Sequence, residues 1–144
     1  MTASAYFSLS DLKTAQPITG WQEFLEDGQA FLQTAAAAHA KNRKAFSPEI
    51  LYNIIAMAIE KFVMAALMRH GALPYNHTMQ DLVEAMEETF PNACDFKEDL
   101  LRMDRYQEIC DLDAFKITPP AMTEIPFMLV VGNKLRDLVV DQLV

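Results

Sequence analysis

The sequence predicts an all-α fold, an up-and-down antiparallel bundle of four to five helices, and three observations carry that expectation. Only four of the 144 residues are glycine, whereas hairpin-rich β folds need glycine at their turns. Apolar residues recur at helical spacing along most of the chain. Capping residues and prolines, among them Ser47-Pro48, Thr78 and Pro91, stand at the boundaries of those stretches. Apolar residues make up 51% of the chain and charged ones 22%. That supplies one sizeable core and is too hydrophobic for a disordered polypeptide. The length suits a single domain over residues 1–144. Collagen-like, low-complexity and disulfide-scaffold classes are excluded by composition.

Residues 1–20 read as an irregular lead-in that ends in the turn signal Pro17-Ile18-Thr19-Gly20. From Trp21 to about Asn42, the residues Trp21, Phe24, Leu25, Phe31, Leu32 and Ala35 share one helical face. Lys41, Arg43 and Lys44 sit where cations complement the carboxyl end of that helix. Ser47 caps a second helix, with Pro48 in its first position, running to Arg69 or His70 and closed by Gly71. This helix is apolar nearly all round, which places residues 48–70 at the centre of the bundle. Thr78 caps a third helix to Phe90, stopped by Pro91. Asp95 and Glu98 have capping-box spacing and predict a fourth helix through about Ile109. Thr118-Pro119-Pro120 or Thr123 opens the last helix, with Leu129, Leu135, Leu138, Val139 and Leu143 inward and Pro126 in its first turn. The expected core comprises Trp21, Phe24, Phe31, Ile55, Ile59, Phe62, Leu67, Leu82, Leu100, Leu129 and Leu138.

The formal charge of −8 is unevenly spread. Residues 1–72 carry six basic and six acidic groups, and residues 73–144 carry six and fourteen. Such a surface repels a phosphate backbone except where cations cluster, so generic DNA binding is not expected. Cys94 and Cys110 form neither a CxxC pair nor a zinc-finger spacing, the usage of a reducing cytosol. The start of the chain has no signal-peptide pattern. Asn53, Glu60 and Lys61 interrupt the apolar Ile50–Met68 stretch, so a membrane span is not expected. The expectation is a cytoplasmic protein.

Few residues point to chemistry. His39 lies five whole turns after Trp21 and reads as a packed core histidine. His70 and His77 flank the Gly71–Pro74 turn without the further ligands a metal needs, so no metal or cofactor is expected. The run Lys41-Asn-Arg-Lys44 can hold a phosphate, although a solvated helix end is the plainer reading. Nucleotide-binding and hydrolase motifs such as the Walker loop, GxGxxG, GxSxG and HExxH do not occur. Asn53 and Glu60, seven residues apart, form a polar stripe on the otherwise greasy second helix. Buried without partners, each would cost about 1–3 kcal/mol. Arg102 and Arg105 on the fourth helix are suited to receive Glu60, either as a structural ion pair or as a polar pocket between helices two and four. These four residues are the candidate ligand site; no catalytic residue is assigned.

The stretch Ala56–Gly71 (AMAIEKFVMAALMRHG), followed by Leu73–Val83 (LPYNHTMQDLV), resembles the HEPN superfamily of small helical domains. In that pattern a second helix reading A-x-E-K-x-x-x-A-x-L precedes a loop, a His-led helix start and a later arginine-bearing helix. The likeness covers residues 47–143. It implies a homodimer, packed through helices that include the last or the fourth. It also implies one of two modes of action: a metal-independent ribonuclease, often a toxin, or a non-catalytic nucleotide- or substrate-binding partner of a small nucleotidyltransferase. The ribonuclease motif pairs an arginine with a polar residue and a histidine. At the matching place, Arg105 is followed by Tyr106, and Cys110 stands where histidine belongs. A thiol of ordinary pKa near 8.5 is a poor proton carrier beside an imidazole. The expectation is therefore a non-catalytic binding module, with a ribonuclease or a ligand-free interaction scaffold as the alternatives.

Overall fold

The computed structural model describes residues 16–93, 95–106 and 120–144. Among them are five α-helices and no strand: α1 (Trp21–Ala40), α2 (Pro48–Arg69), α3 (Met79–Thr89), α4 (Lys97–Asp104) and α5 (Ile125–Leu138). The predicted all-α bundle is what the chain forms. A single 3-10 turn, Met122–Glu124, leads into α5, and a π turn, Val139–Leu143, follows it.

Local chemistry sets most of the boundaries. Ser47 Oγ accepts from the Ile50 amide at 3.3 Å, and Thr78 Oγ1 accepts from the Asp81 amide at 3.1 Å. Both are side-chain caps on otherwise unpaired first-turn donors. Gly71 takes a φ of 73° just beyond α2, a conformation glycine adopts without steric cost. Pro126 falls in the first turn of α5, where its missing N–H costs nothing.

Helix α2 is the centre of the molecule. Thirteen of its 22 residues are buried, and α1 makes the most extensive contact with it. The two helices approach closely at Gly28, where a Cβ would lie 2.8 Å from Phe62 Cε1 and 3.2 Å from the Ala58 carbonyl. By length and composition α2 would pass for a membrane span, against the expectation from its polar interruptions, but 67% of its apolar window is buried inside the bundle. Helix α5 packs on both α1 and α2, and α3 with α4 forms the remaining wall. The Ile18 amide donates to the Met68 carbonyl at 2.7 Å, so the last described part of the lead-in is fastened to the end of α2.

Four sequence expectations are corrected. The Asp95–Glu98 capping box is not the start of α4: Asp95 lies in the preceding turn, and Phe96 occupies the cap position without a side-chain hydrogen bond. Burial of the Phe96 ring in the core fixes that boundary instead. Helix α4 also stops at Asp104, and Ile109 lies outside the described residues. In the last helix the buried face is Ile125, Met128, Val131, Gly132 and Leu135, continued by Val139 and Leu143, whereas Leu129 and Leu138 are half-buried. Trp21, Phe24 and Phe31 are half-buried as well, and cations cover the first two: Arg69 lies 5.7 Å from the Trp21 ring and Lys61 4.2 Å from the Phe24 ring.

Candidate functional site

The four predicted site residues fall into two groups. Asn53 and Glu60 line one open cleft on α2 together with Met57, His77 and Met79, with a volume of about 350 Å³. Arg102 and Arg105 do not line it; both are exposed on and just after α4. The expected Glu60–arginine pair is not formed. His77 Nδ1–H donates to Glu60 Oε1 at 2.6 Å instead. The loop after Gly71 returns along α2 and delivers this histidine one residue before the Thr78 cap.

The two histidines that flank the turn therefore part company. His77 serves Glu60, while His70 Nε2–H donates to the Leu143 carbonyl at 2.7 Å and packs edge-on against Phe90. Each contact ties one end of α2 or its loop to another element. Among the described residues no cluster of three or more histidine, cysteine or acidic groups is poised to hold a metal.

The arginines are built differently. Tyr52, in the second turn of α2, donates its hydroxyl to the Met103 carbonyl at 3.2 Å and packs against Tyr106, ring centroids 5.2 Å apart. That pair seats the end of α4 on the amino-terminal end of α2. The Arg102 guanidinium lies 4.2 Å over the Phe127 ring, and Arg105 Nε donates to the Arg102 carbonyl at 3.4 Å. A guanidinium stacked on an aromatic face keeps its N–H edges free for an oxyanion. Tyr106 completes this corner by donating its hydroxyl to Glu124. Burial pushes the Tyr106 hydroxyl above its ordinary pKa, Glu124 adds to the rise, and Arg105 and Arg102 oppose it.

The cations are sorted in space. Lys61, Lys97, Lys134 and Arg136 are each paired with a carboxylate. Among the described residues Lys41, Arg43, Lys44, Arg69, Arg102 and Arg105 make no such pair. Of these six, all but Arg69 lie at one end of the bundle, where α1 gives way to α2 and α4 ends. Met122 links the two cationic corners: it borders a cavity with Arg43 and Lys44, and Glu124, two residues on, holds Tyr106. Sequence reading found the arginines but missed their platform, because Phe127 and Tyr106 carry no motif. His77 was legible only as a histidine at a helix start, without its partner. Cys110 lies outside the described residues. No family model, curated protein or solved structure matches this chain.

Proposed function

We propose that this protein is a non-catalytic binding module of the HEPN type. In this reading it works in the cytosol as a homodimer beside a small nucleotidyltransferase and grips a phosphate of that partner's nucleotide. The observation that carries the reading is the arginine pair: Arg102 and Arg105 are exposed, free of carboxylates among the described residues, and Arg102 is held over Phe127. An immobilised guanidinium loses less freedom on meeting an anion than a loose one, and its bonds to phosphate oxygens are charge-assisted. Turnover is disfavoured by the sequence itself, since no histidine follows Arg102 and His77 is engaged by Glu60 on another face of α2. RNA cleavage by attack of its 2′-oxygen, with loss of the 5′-oxygen, requires a group that takes the proton of the first or supplies one to the second.

Isothermal titration with ATP tests the proposal. Wild-type protein binds saturably, and Arg102→Ala or Arg105→Ala weakens binding by about 10-fold or more, the loss expected for one charge-assisted hydrogen bond. Equal affinity in the wild type and both variants, or no saturable heat with wild type, refutes it.

A further inference from the structure

We propose a second anion site, at the corner between α1 and α2, which takes a phosphate group as inorganic phosphate or a phosphomonoester. The corner holds a cavity of about 300 Å³, at the small end of the range for small-molecule sites. His39, Asn42, Arg43, Lys44 and Ser47 supply its polar wall, and Met122 closes it from the turn before α5.

The backbone is shaped to present the two cations. Asn42 takes a left-handed φ of 48°, which asparagine tolerates better than most residues. This turns the chain so that the Arg43 amide donates back to the Ala38 carbonyl at 3.2 Å, and the Phe46 amide to the Arg43 carbonyl at 3.0 Å. The Lys41 and Asn42 amides cap the Ala37 and His39 carbonyls at 3.1 and 3.2 Å. The Ala37, Ala38 and His39 carbonyls are thereby occupied, and the exposed Arg43 and Lys44 border the cavity with no carboxylate of the described residues on them.

A further feature points the same way. The amino terminus of the 22-residue α2 also opens on this corner, with Ser47 in the cavity wall. Its dipole adds to the positive field. Glu49, the acid of that first turn, is exposed and does not border the cavity.

Amide NMR on the full chain tests the site, with inorganic phosphate and AMP as probes and sodium chloride at matched ionic strength as reference. The expected result is saturable shifts in the amides of residues 43–47, 49 and 50 with phosphate, AMP or both. Shifts with AMP alone identify the phosphomonoester as the ligand; shifts with both identify the bare phosphate group. Arg43→Ala and Lys44→Gln, both at exposed positions, weaken the apparent affinity by about 10-fold or more each while leaving the helical circular dichroism unchanged. No saturable shift with either probe overturns the proposal, as does binding that both variants leave intact. Arg102→Ala leaves these shifts in place, which separates this site from the arginine pair.

Discussion

His77 and Glu60, far apart in the chain as loop and helix residues, meet with Nδ1 and Oε1 2.6 Å apart. The contact staples the start of α3 to the middle of α2. Arg102 and Arg105, which do not border the cleft that Glu60 lines, have no acidic partner among the described residues.

Because both side chains are substantially exposed, 58% for His77 and 35% for Glu60, the staple orders the loop more than it stabilises the fold. Glu60→Gln is expected to cost no more than about 1 kcal/mol, a fall in melting temperature of about 2–4 °C at most. Its ring signature is local: the His77 resonances shift in Glu60→Gln while those of His70 do not. A large loss of stability would show that the pair does more than hold the loop.

Helix packing gives a sharper contrast between two glycines. In Gly28→Ala the new methyl meets the Phe62 ring at 2.8 and 2.9 Å and the Ala58 carbonyl at 3.2 Å. Neither neighbour yields easily, so the helix-propensity gain of up to about 1 kcal/mol is outweighed by overpacking of about 1–3 kcal/mol. In Gly132→Ala the close neighbour is the tip of Leu32, at 2.8 Å, which can rotate away. Urea unfolding is expected to rank Gly28→Ala clearly below wild type and Gly132→Ala close to it. The reverse ranking contradicts this packing.

Tyr106 supplies a pH prediction. Burial first, and then Glu124, raise its hydroxyl above the ordinary value of 10.0. The raised value means that the folded state holds this proton more tightly than the unfolded one. The associated stability is present in full below pH 10 and is lost as pH rises through the folded value. A difference ultraviolet titration of wild type against Tyr106→Phe should show one tyrosine ionising above pH 10, and Glu124→Gln should move it down. Ionisation at or below 10 would contradict the half-buried, Glu124-bound hydroxyl.

Much of this architecture is legible in the residues, for identifiable reasons. The Ser47 and Thr78 caps and the Gly71 stop are local events, decided within one turn of chain, and the structure places them as expected. Asp95 fails as a cap because the burial of Phe96, a tertiary effect, sets the start of α4. The inner face of α5 is misjudged at Leu129 and Leu138 because Gly132 lets Leu32 approach, shifting the buried stripe toward Met128 and Val131. The candidate site is only half legible. Polar residues in a greasy helix announce a cleft, but their partner is set by where the loop after Gly71 returns, and it brings His77 rather than an arginine to Glu60. The Arg102–Phe127 stack joins residues 25 positions apart with the 107–119 stretch between them, and no periodicity encodes it.

Assembly is expected to be dimeric. Val130 on α5 is 55% exposed and Val140 is exposed just beyond it, apolar surface on the last helix that a second copy would cover. Light scattering should give twice the 16.3 kDa chain mass at micromolar concentration, and Val130→Asp should shift it toward the monomer. A wild type of 16.3 kDa would contradict the dimer.

The separation of binding from turnover is tested most directly by incubating purified protein with a mixed RNA substrate, with and without magnesium. In the proposed reading Arg102 and Arg105 hold an anion, and no histidine stands beside them in sequence to carry its proton. Intact RNA is expected under both conditions, for wild type and Arg105→Ala alike. Cleavage by the wild type that disappears in Arg105→Ala would contradict it.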